Sequence, residues 1–325
     1  ASLLKNQAFN HSLSWVTAIG TAAGAVITVI AGKPTEPTLL WGGMIRFDPA
    51  AYIFSLVFLA GLALTALFAS MERMLDHKPE YYLLLVFATI GLIFMVSSAN
   101  LIMLYLSLET ASIPLYVLAG IRYRDSRSVE SGIKYFLFGV ISSGIVLFGF
   151  SLLYGFGGST NLLKISEGIQ ANVVPLGAVI LASLLVLAGF AFKISAFPFH
   201  FWAPDVYEGA PTSVAGFLST VSKAAGFLAL SRVVIHIFGV ASSSTWMILL
   251  AGMAAASMFL GNLLAIPQKN LKRLIAYSSI AQAGYILIGA ASGTDFGFTG
   301  MVYYLITYLV TNLAVFAIIA WVEPR

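Results

Sequence analysis

Long apolar runs separated by short polar connections follow one another along the chain. Ten runs approach the roughly 20 residues that an α-helix needs to cross a bilayer. They fall near residues 13–31, 50–70, 81–98, 100–120, 132–154, 176–197, 211–238, 244–266, 271–291 and 298–322. Because backbone polar groups must be satisfied within the segment in lipid, these runs are predicted to be helices. The pattern predicts an all-α polytopic membrane protein with a single transmembrane domain over residues 1–325.

Composition agrees with this class. Hydrophobic residues make up 59% of the chain and charged residues 9%, and the mean hydropathy is +0.94. A soluble domain would need more charge on its surface, and a net charge of +4 gives no argument for nucleic-acid binding. The sequence has no cysteine, which excludes cysteine-ligated iron–sulfur clusters and disulfides. The four histidines show no haem-ligand pattern, so we expect no redox cofactor or metal here; they are His11, His77, His200 and His236.

Basic residues divide unevenly between the two sides of the predicted bundle. The larger group is Lys5, Arg73, Lys78, Arg122, Arg124, Arg127, Lys269, Lys272, Arg273 and Arg325, and the smaller is Lys33, Arg46, Lys164 and Arg232. The positive-inside rule places the larger group in the cytoplasm. The chain begins without methionine and stops just after a span, so we expect it to be a fragment of a longer protein.

Two segments of the chain are weakly alike. Asn100 to Gly120 aligns with Asn270 to Gly289, with one residue fewer in the second segment. Transporters are often built from inverted repeats of this kind. The alignment sets Glu109 against the neutral Ser279, so the two halves are not chemically equivalent.

Three ionisable residues, Glu109, Lys193 and Lys223, lie well inside apolar runs. Each costs about 2.5–3.5 kcal/mol if it is charged at the centre of a membrane helix, and such residues usually mark ion paths. The alternative is that they pair with one another and only lock helices together. Lys223 is preceded by three residues with hydroxyl groups, Ser219, Thr220 and Ser222, and followed by Gly226, which has no side chain and leaves space. These neighbours favour an aqueous path.

A proline-rich segment follows Lys193. Pro198 is incompatible with a continuous helix, so we predict a broken helix near Lys193–Pro198; a plain helix end with an interfacial aromatic belt is the alternative. Asp205 and Glu208 are expected to cap the helix that starts near Pro211.

Other charged residues are ambiguous. Lys134 follows Glu130 at helical spacing, as either an exposed ion pair or a member of the path. The Lys269, Lys272 and Arg273 cluster is expected to act mainly as a topology anchor.

The segment PFHFWAPDVYEGAPTSVAGFLSTVSKAAGF at 198–227 resembles the signature of one family, the antiporter-like membrane subunits of proton-pumping NADH:quinone oxidoreductase, respiratory complex I. SLETASIPLYVLAG and GNLLAIPQKNLKRLIAYSSIAQAGY extend the resemblance, which covers roughly residues 81–320. It implies a fourteen-helix fold with two inverted five-helix repeats, each with a broken helix. In this sequence residues 1–80 would be N-terminal helices, 81–238 the first repeat and 239–325 a truncated second repeat.

The resemblance also implies roles. Glu109, Lys193 and Lys223 would relay protons, with Lys134 on the path, whereas Gln282 stands where several relatives have a titratable histidine. The chain would be a proton-translocating membrane-arm subunit without redox chemistry of its own. NAD, FMN, iron–sulfur clusters and quinone would bind partner subunits, and the complex would lie in the bacterial plasma membrane rather than the thylakoid. An Mrp-type Na⁺/H⁺ antiporter subunit and a structural scaffold are the alternatives.

Overall fold

A computed structural model describes residues 7–72, 78–172, 174–234 and 243–323. The helices are α1 (Gln7–Ala31), α2 (Pro49–Ala69), α3 (Lys78–Ser97), α4 (Leu101–Ala119), α5 (Ser126–Gly157), α6 (Leu162–Ala171), α7 (Leu176–Lys193), α8 (Trp202–Gly209), α9 (Thr212–Val233), α10 (Ser243–Ala265), α11 (Leu271–Ala291) and α12 (Asp295–Val322). An antiparallel hairpin of β1 (Thr38–Leu40) and β2 (Ile45–Phe47) joins α1 to α2.

Ten helices of the described chain, all but α6 and α8, are long and apolar enough to cross a membrane. This confirms the predicted number of spans, and their ends agree to within a few residues for most of them. The helix α9 is buried along its whole length, because the other spans surround it. The mid-chain lysine helix is therefore the centre of the bundle.

The helices α4 and α11 begin in the same way. The Asn100 side chain accepts a hydrogen bond from the Met103 amide at 2.7 Å, and Asn270 accepts one from the Arg273 amide at 3.2 Å. An asparagine at this position satisfies an amide that the first helical turn leaves unpaired. The two copies of the predicted sequence repeat therefore begin with the same local structure.

The two repeats also pack alike. Gly91 of α3 lies so close to the Ala111 backbone of α4 that a Cβ would not fit, and Gly261 of α10 lies equally close to Ala281 of α11. Gly261 follows Gly91 in the sequence by as many residues as Asn270 follows Asn100, and the same holds for Ala281 and Ala111. These contacts support the inverted repeat, while its boundaries at residues 80 and 238 stay predictions.

A buried ion pair ties α9 to α2. The Arg232 guanidinium binds both carboxylate oxygens of Asp48 at 2.8 and 2.9 Å, and the Arg46 Nε lies 3.2 Å from the same carboxylate. Burial alone would raise the pKa of Asp48, but Arg232, the Ala51 amide and Arg46 together outweigh it and hold the pKa below its usual value. This contact places Arg232 at the same end as Arg46, as predicted; Lys5, Arg73, Arg325 and the Lys78 side chain lie outside the described residues.

Replacing Asp48 with alanine is expected to destabilise the protein by about 3–5 kcal/mol, because it leaves the Arg232 charge buried without its partner. Unfolding of the purified protein by titration with SDS would measure the loss. Glu167→Ala on exposed α6 is the control and should change stability by less than about 0.5 kcal/mol. A loss at Asp48 as small as that of the control would contradict the prediction.

Candidate functional site

Glu109 lies in the middle of α4 and faces α5. Its carboxylate accepts a hydrogen bond from the Ser143 hydroxyl, which also lies 3.3 Å from the Tyr105 hydroxyl. Ser112 follows three residues later, on the same face of α4. Glu109 and Ser112 therefore form one polar strip on this face of the helix.

Lys193 is the last residue of α7 and is buried. Its ammonium Nζ donates a hydrogen bond to the Ser112 hydroxyl at 3.0 Å. The carbonyl groups at the end of a helix carry partial negative charge, which stabilises a cation there. Lys193 thus joins the polar strip of α4 one helical turn from Glu109.

The chain leaves the helix directly after Lys193. Ser195 adopts a left-handed backbone conformation with φ +57°, and α8 begins only at Trp202. The Trp202 indole donates to the Phe192 carbonyl at 3.0 Å, and the Ser195 amide donates to the same carbonyl at 3.0 Å. Trp202 is also buried and stacks on Tyr135, with ring centroids 4.5 Å apart. The break is the predicted broken helix, and Trp202 does not form an interfacial belt.

Lys223 lies in the buried centre of α9, directly after a π-helical turn at Leu218–Ser222. Its Nζ donates to the Ser279 carbonyl of α11 at 2.8 Å and contacts the Ser279 hydroxyl. A π turn adds a residue to the helix and often occurs at functional sites. Ser279 is also the residue that the repeat aligns with Glu109.

Gly226 lets the stem of Lys193 pack against the helix that carries Lys223. A Cβ on Gly226 would lie 3.1 Å from the Cγ of Lys193, so the lysine stem packs directly on the α9 backbone. Gly226 follows Lys223 by three residues and shares its face of the helix. The space predicted beside Lys223 is therefore occupied by Lys193.

Each of the three ionisable groups is held by a serine, and none is neutralised by another. Over the described residues, no salt bridge within 4.0 Å joins Glu109, Lys193 or Lys223 to an opposite charge. Direct pairing, the alternative explanation of their presence, is not what the structure shows. Unpaired charges cost more than paired ones, which makes a purely architectural role a poor explanation.

Further hydroxyl groups surround Lys223. The hydroxyl groups of Ser219 and Tyr308 lie 3.0 Å apart, within hydrogen-bond distance of each other. The Tyr207 hydroxyl lies beside Ser195, Ser219 and Ser279. The hydroxyls of Tyr207 and Ser195 are buried without a hydrogen-bond partner among the described residues. Buried hydroxyls of this kind usually bind internal water. Lys223 is thus surrounded by hydroxyl groups on α8, α9, α11 and α12.

Lys134 lies apart from this chain of groups, in a charged cluster between α5, α8 and α11. Its Nζ binds Glu130 at 2.7 Å and Asp205 at 2.6 Å. Arg273 completes the cluster with ion pairs to Asp205 at 2.6 Å and Glu208 at 3.0 Å. Burial would raise the pKa of Asp205, but the hydrogen bonds from Lys134 and Arg273 lower it below its usual value. Lys134 therefore forms the ion pair with Glu130 that the helical spacing predicted, and a second ion pair with Asp205.

One expectation about this region is wrong. Asp205 and Glu208 do not cap α9; they lie within α8 and bind Lys134 and Arg273, because α8 directs them away from the next helix. The first turn of α9 is instead capped by Glu72, whose carboxylate accepts the Ser213 amide. Arg273 is also more than a topology anchor, since it joins α11 to α8.

Gln282 lies one turn after Ser279 and accepts a hydrogen bond from the Tyr304 hydroxyl of α12. It therefore forms a link from the α11 face toward α12, although it cannot titrate.

Sequence reasoning missed Ser112, Ser143, Tyr308 and the π turn. A signal existed for Ser112, which shares a helix face with Glu109 at a spacing of three residues. Ser143 and Tyr308 are on other helices, and only packing shows that they face the site. Over the described residues, no group of three His, Cys, Asp or Glu side chains could hold a metal ion.

A family of membrane domains described as "NADH:quinone oxidoreductase/Mrp antiporter, TM" matches residues 98–325. The chain belongs to this family. Among curated relatives, the NADH-quinone oxidoreductase subunit N of Desulfovibrio desulfuricans is 42% identical over 96% of this chain and 63% of its own length. Subunit N of Moorella thermoacetica is 42% identical over 97% of this chain and 65% of its own. The resemblance stated above is therefore confirmed, and subunit N is the member of the family that these relatives represent.

Solved structures agree with the family. Respiratory complex I from Thermus thermophilus contains a chain with a TM-score of 0.78 and 32% identity, matched over 96% of this chain and 65% of that one. The Mrp complex from Dietzia has a chain with the same fold, at a TM-score of 0.77 and 21% identity, over 97% of this chain and 60% of that one. This chain thus spans less than two thirds of the proteins it matches.

Proposed function

We propose that this chain is a proton-translocating membrane-arm subunit of an NADH:quinone oxidoreductase. The observation that carries the proposal is the set of three ionisable groups inside apolar spans, the buried Lys193 and Lys223 and the half-buried Glu109, each held by a serine. Identity to subunit N over almost the whole chain supports the assignment. NAD, FMN, iron–sulfur clusters and quinone would bind partner subunits, and the complex would lie in the plasma membrane of a bacterium.

The geometry suggests a sequence of proton positions. Glu109 and Lys193 exchange a proton through the Ser112 side of α4, because a hydroxyl group can donate and accept at once. The Lys193 stem packs on the α9 backbone at Gly226, one turn from Lys223, while the two ammonium groups bind serines on different helices. In the proposed sequence a proton passes from Lys193 to Lys223 and leaves toward Ser279.

Lys134 and its partners are proposed to serve the cytoplasmic entrance. Its cluster contains two cations and three carboxylates, Glu130, Asp205 and Glu208, where the chain enters the broken helix. Lys134 is partly exposed, with 37% of its side chain accessible. Because water can reach Lys134, we assign it to the uptake of protons from the cytoplasm and not to their storage inside the membrane.

Purification through a tag on this chain tests the proposal. The complex should contain subunits that oxidise NADH and reduce quinone, and in sealed vesicles NADH should drive proton uptake without requiring Na⁺. A complex of membrane subunits alone that exchanges Na⁺ for protons would instead establish the Mrp-type alternative, which the fold of the Dietzia protein shares.

Glu109→Gln is expected to lower proton translocation per NADH by about tenfold or more, because the amide keeps a hydrogen bond to Ser143 but cannot bind and release a proton. Proton uptake and NADH oxidation would be measured in the same vesicles. Glu167→Gln on exposed α6 is the matched control and should pump normally. Normal pumping by the Glu109 variant would remove this carboxylate from the path.

A further inference from the structure

The helix α2 precedes residues 98–325, the segment that matches the family. In space, however, α2 lies alongside α9. A carboxylate flanks each end of α2, Asp48 before its first residue and Glu72 beyond its last. Glu72 accepts the Ser213 amide in the first turn of α9, and its other oxygen binds Arg122 at 2.8 Å. This end of α9 thus depends on a cap from a different helix.

The opposite end of α9 is held in the same manner. Asp48 binds Arg232 of the last turn through both carboxylate oxygens, while its side chain also caps α2 by accepting the Ala51 amide at 2.9 Å. The Arg232 Nε donates in addition to the Val96 carbonyl. The two helices run antiparallel, so a single helix fixes both ends of the lysine helix.

Between these ends, α2 contacts the π turn itself. A Cβ on Gly61 would lie 2.5 Å from the Cγ2 of Val221, which is closer than carbon atoms approach without displacement. Val221 lies within the π turn, two residues before Lys223. Nearer the start of α9, a Cβ on Gly216 would lie 3.4 Å from the Phe68 ring, which shows that the close approach continues along the helix.

We propose that α2 positions Lys223, with Gly61 as the positioning residue that sets the π turn against α11. The Lys223 Nζ reaches the Ser279 carbonyl at 2.8 Å only while the π turn stays in place. Because Val221 has a stiff, branched side chain, pressure on its Cγ2 moves the backbone of the turn and not the side chain alone. This inference rests on the proposed relay through Lys223.

Gly61→Ala in the whole complex tests the inference, with Gly20→Ala as the control because nothing lies within 4 Å of a Cβ on Gly20 of α1. The Gly61 variant should oxidise NADH but lose about tenfold in protons moved per NADH, since a misplacement near 1 Å can cost roughly 100-fold. Its pH profile of pumping should also shift, whereas the Gly20 variant should match the wild type in both measurements.

The second substitution Val221→Ala should restore the Gly61→Ala complex, because it removes the atom that the new methyl group meets. Recovery of the proton ratio and the pH profile in the double variant supports the inference. If Gly61→Ala alone assembles poorly, recovery of assembly and pumping in the double variant supports it equally. A Gly61→Ala complex that pumps like the wild type overturns the inference, as does a double variant that assembles without recovering. Lys223→Ala, measured in parallel, separates the outcomes: if that variant pumps normally, the relay itself is wrong.

Discussion

Replacing Lys223 with alanine is expected to abolish proton translocation in a complex that still assembles and oxidises NADH. The substitution removes the group that the π turn presents to α11, and leaves Ser279 facing a cavity that contains no titratable nitrogen. The titratable side chains that remain beside Ser279 are those of Tyr207 and Tyr308, and a phenol does not replace an ammonium group as a proton carrier near neutral pH, so the path is interrupted. Proton uptake per NADH in reconstituted vesicles measures the effect, with Lys164→Ala on exposed α6 as the control.

Lys223→Arg separates a proton carrier from a fixed positive charge. Arginine keeps the charge but does not release its proton at accessible pH, so it should fail to pump as alanine does. If arginine preserved pumping, Lys223 would act only through its charge. If alanine left the proton stoichiometry unchanged with normal assembly, the relay role would be wrong. A lower yield with normal pumping per complex would favour the scaffold alternative.

The sequence was sufficient to identify the spans and to single out three candidate residues, for a simple energetic reason. A charge within an apolar run costs several kcal/mol, so Glu109, Lys193 and Lys223 stand out without any structure. Pro198 marked the break in the same way, because proline is incompatible with a continuous helix. Local rules of this kind depend only on near neighbours in the chain.

The partners of these residues could not be predicted, because they depend on how helices pack. Ser143, Ser279 and Tyr308 are ordinary serine and tyrosine residues of membrane helices until α5, α11 and α12 turn them toward the site. Asp205 was misassigned for the same reason. A cap on the next helix looked sufficient from spacing alone, whereas the fold uses the distant Glu72 and leaves Asp205 free to bind Lys134.

The repeat explains why the two halves of the site differ. Glu109 and Ser279 occupy corresponding positions on α4 and α11, but Glu109 offers a carboxylate and Ser279 a hydroxyl and a carbonyl. Lys193 therefore lies near a negative charge, while Lys223 lies beside neutral acceptors. A neutral acceptor stabilises an ammonium group less than a carboxylate does, and in the proposed relay this difference would give the path a direction.

Ser279→Asp should remove that asymmetry and stop translocation. The new carboxylate would lie at hydrogen-bond distance from the Lys223 Nζ, where an opposite charge stabilises the ammonium form by about 1–4 kcal/mol. Each 1.36 kcal/mol changes a rate about tenfold, so proton release from Lys223 should slow by roughly ten- to 1000-fold.

Ser279→Asn is the matched control, because asparagine has nearly the size and shape of aspartate but no charge. The Asn variant should keep most of its proton translocation per NADH, and the Asp variant should lose it, with NADH oxidation in the same vesicles confirming that both complexes assemble. Equal pumping by the two variants would show that charge at this position does not control Lys223. Equal loss in both would show that the site cannot accept the larger side chain. If the Asn variant pumps and the Asp variant does not, the direction of the path depends on Ser279 carrying no negative charge, in contrast to Glu109 at the corresponding position of the first repeat.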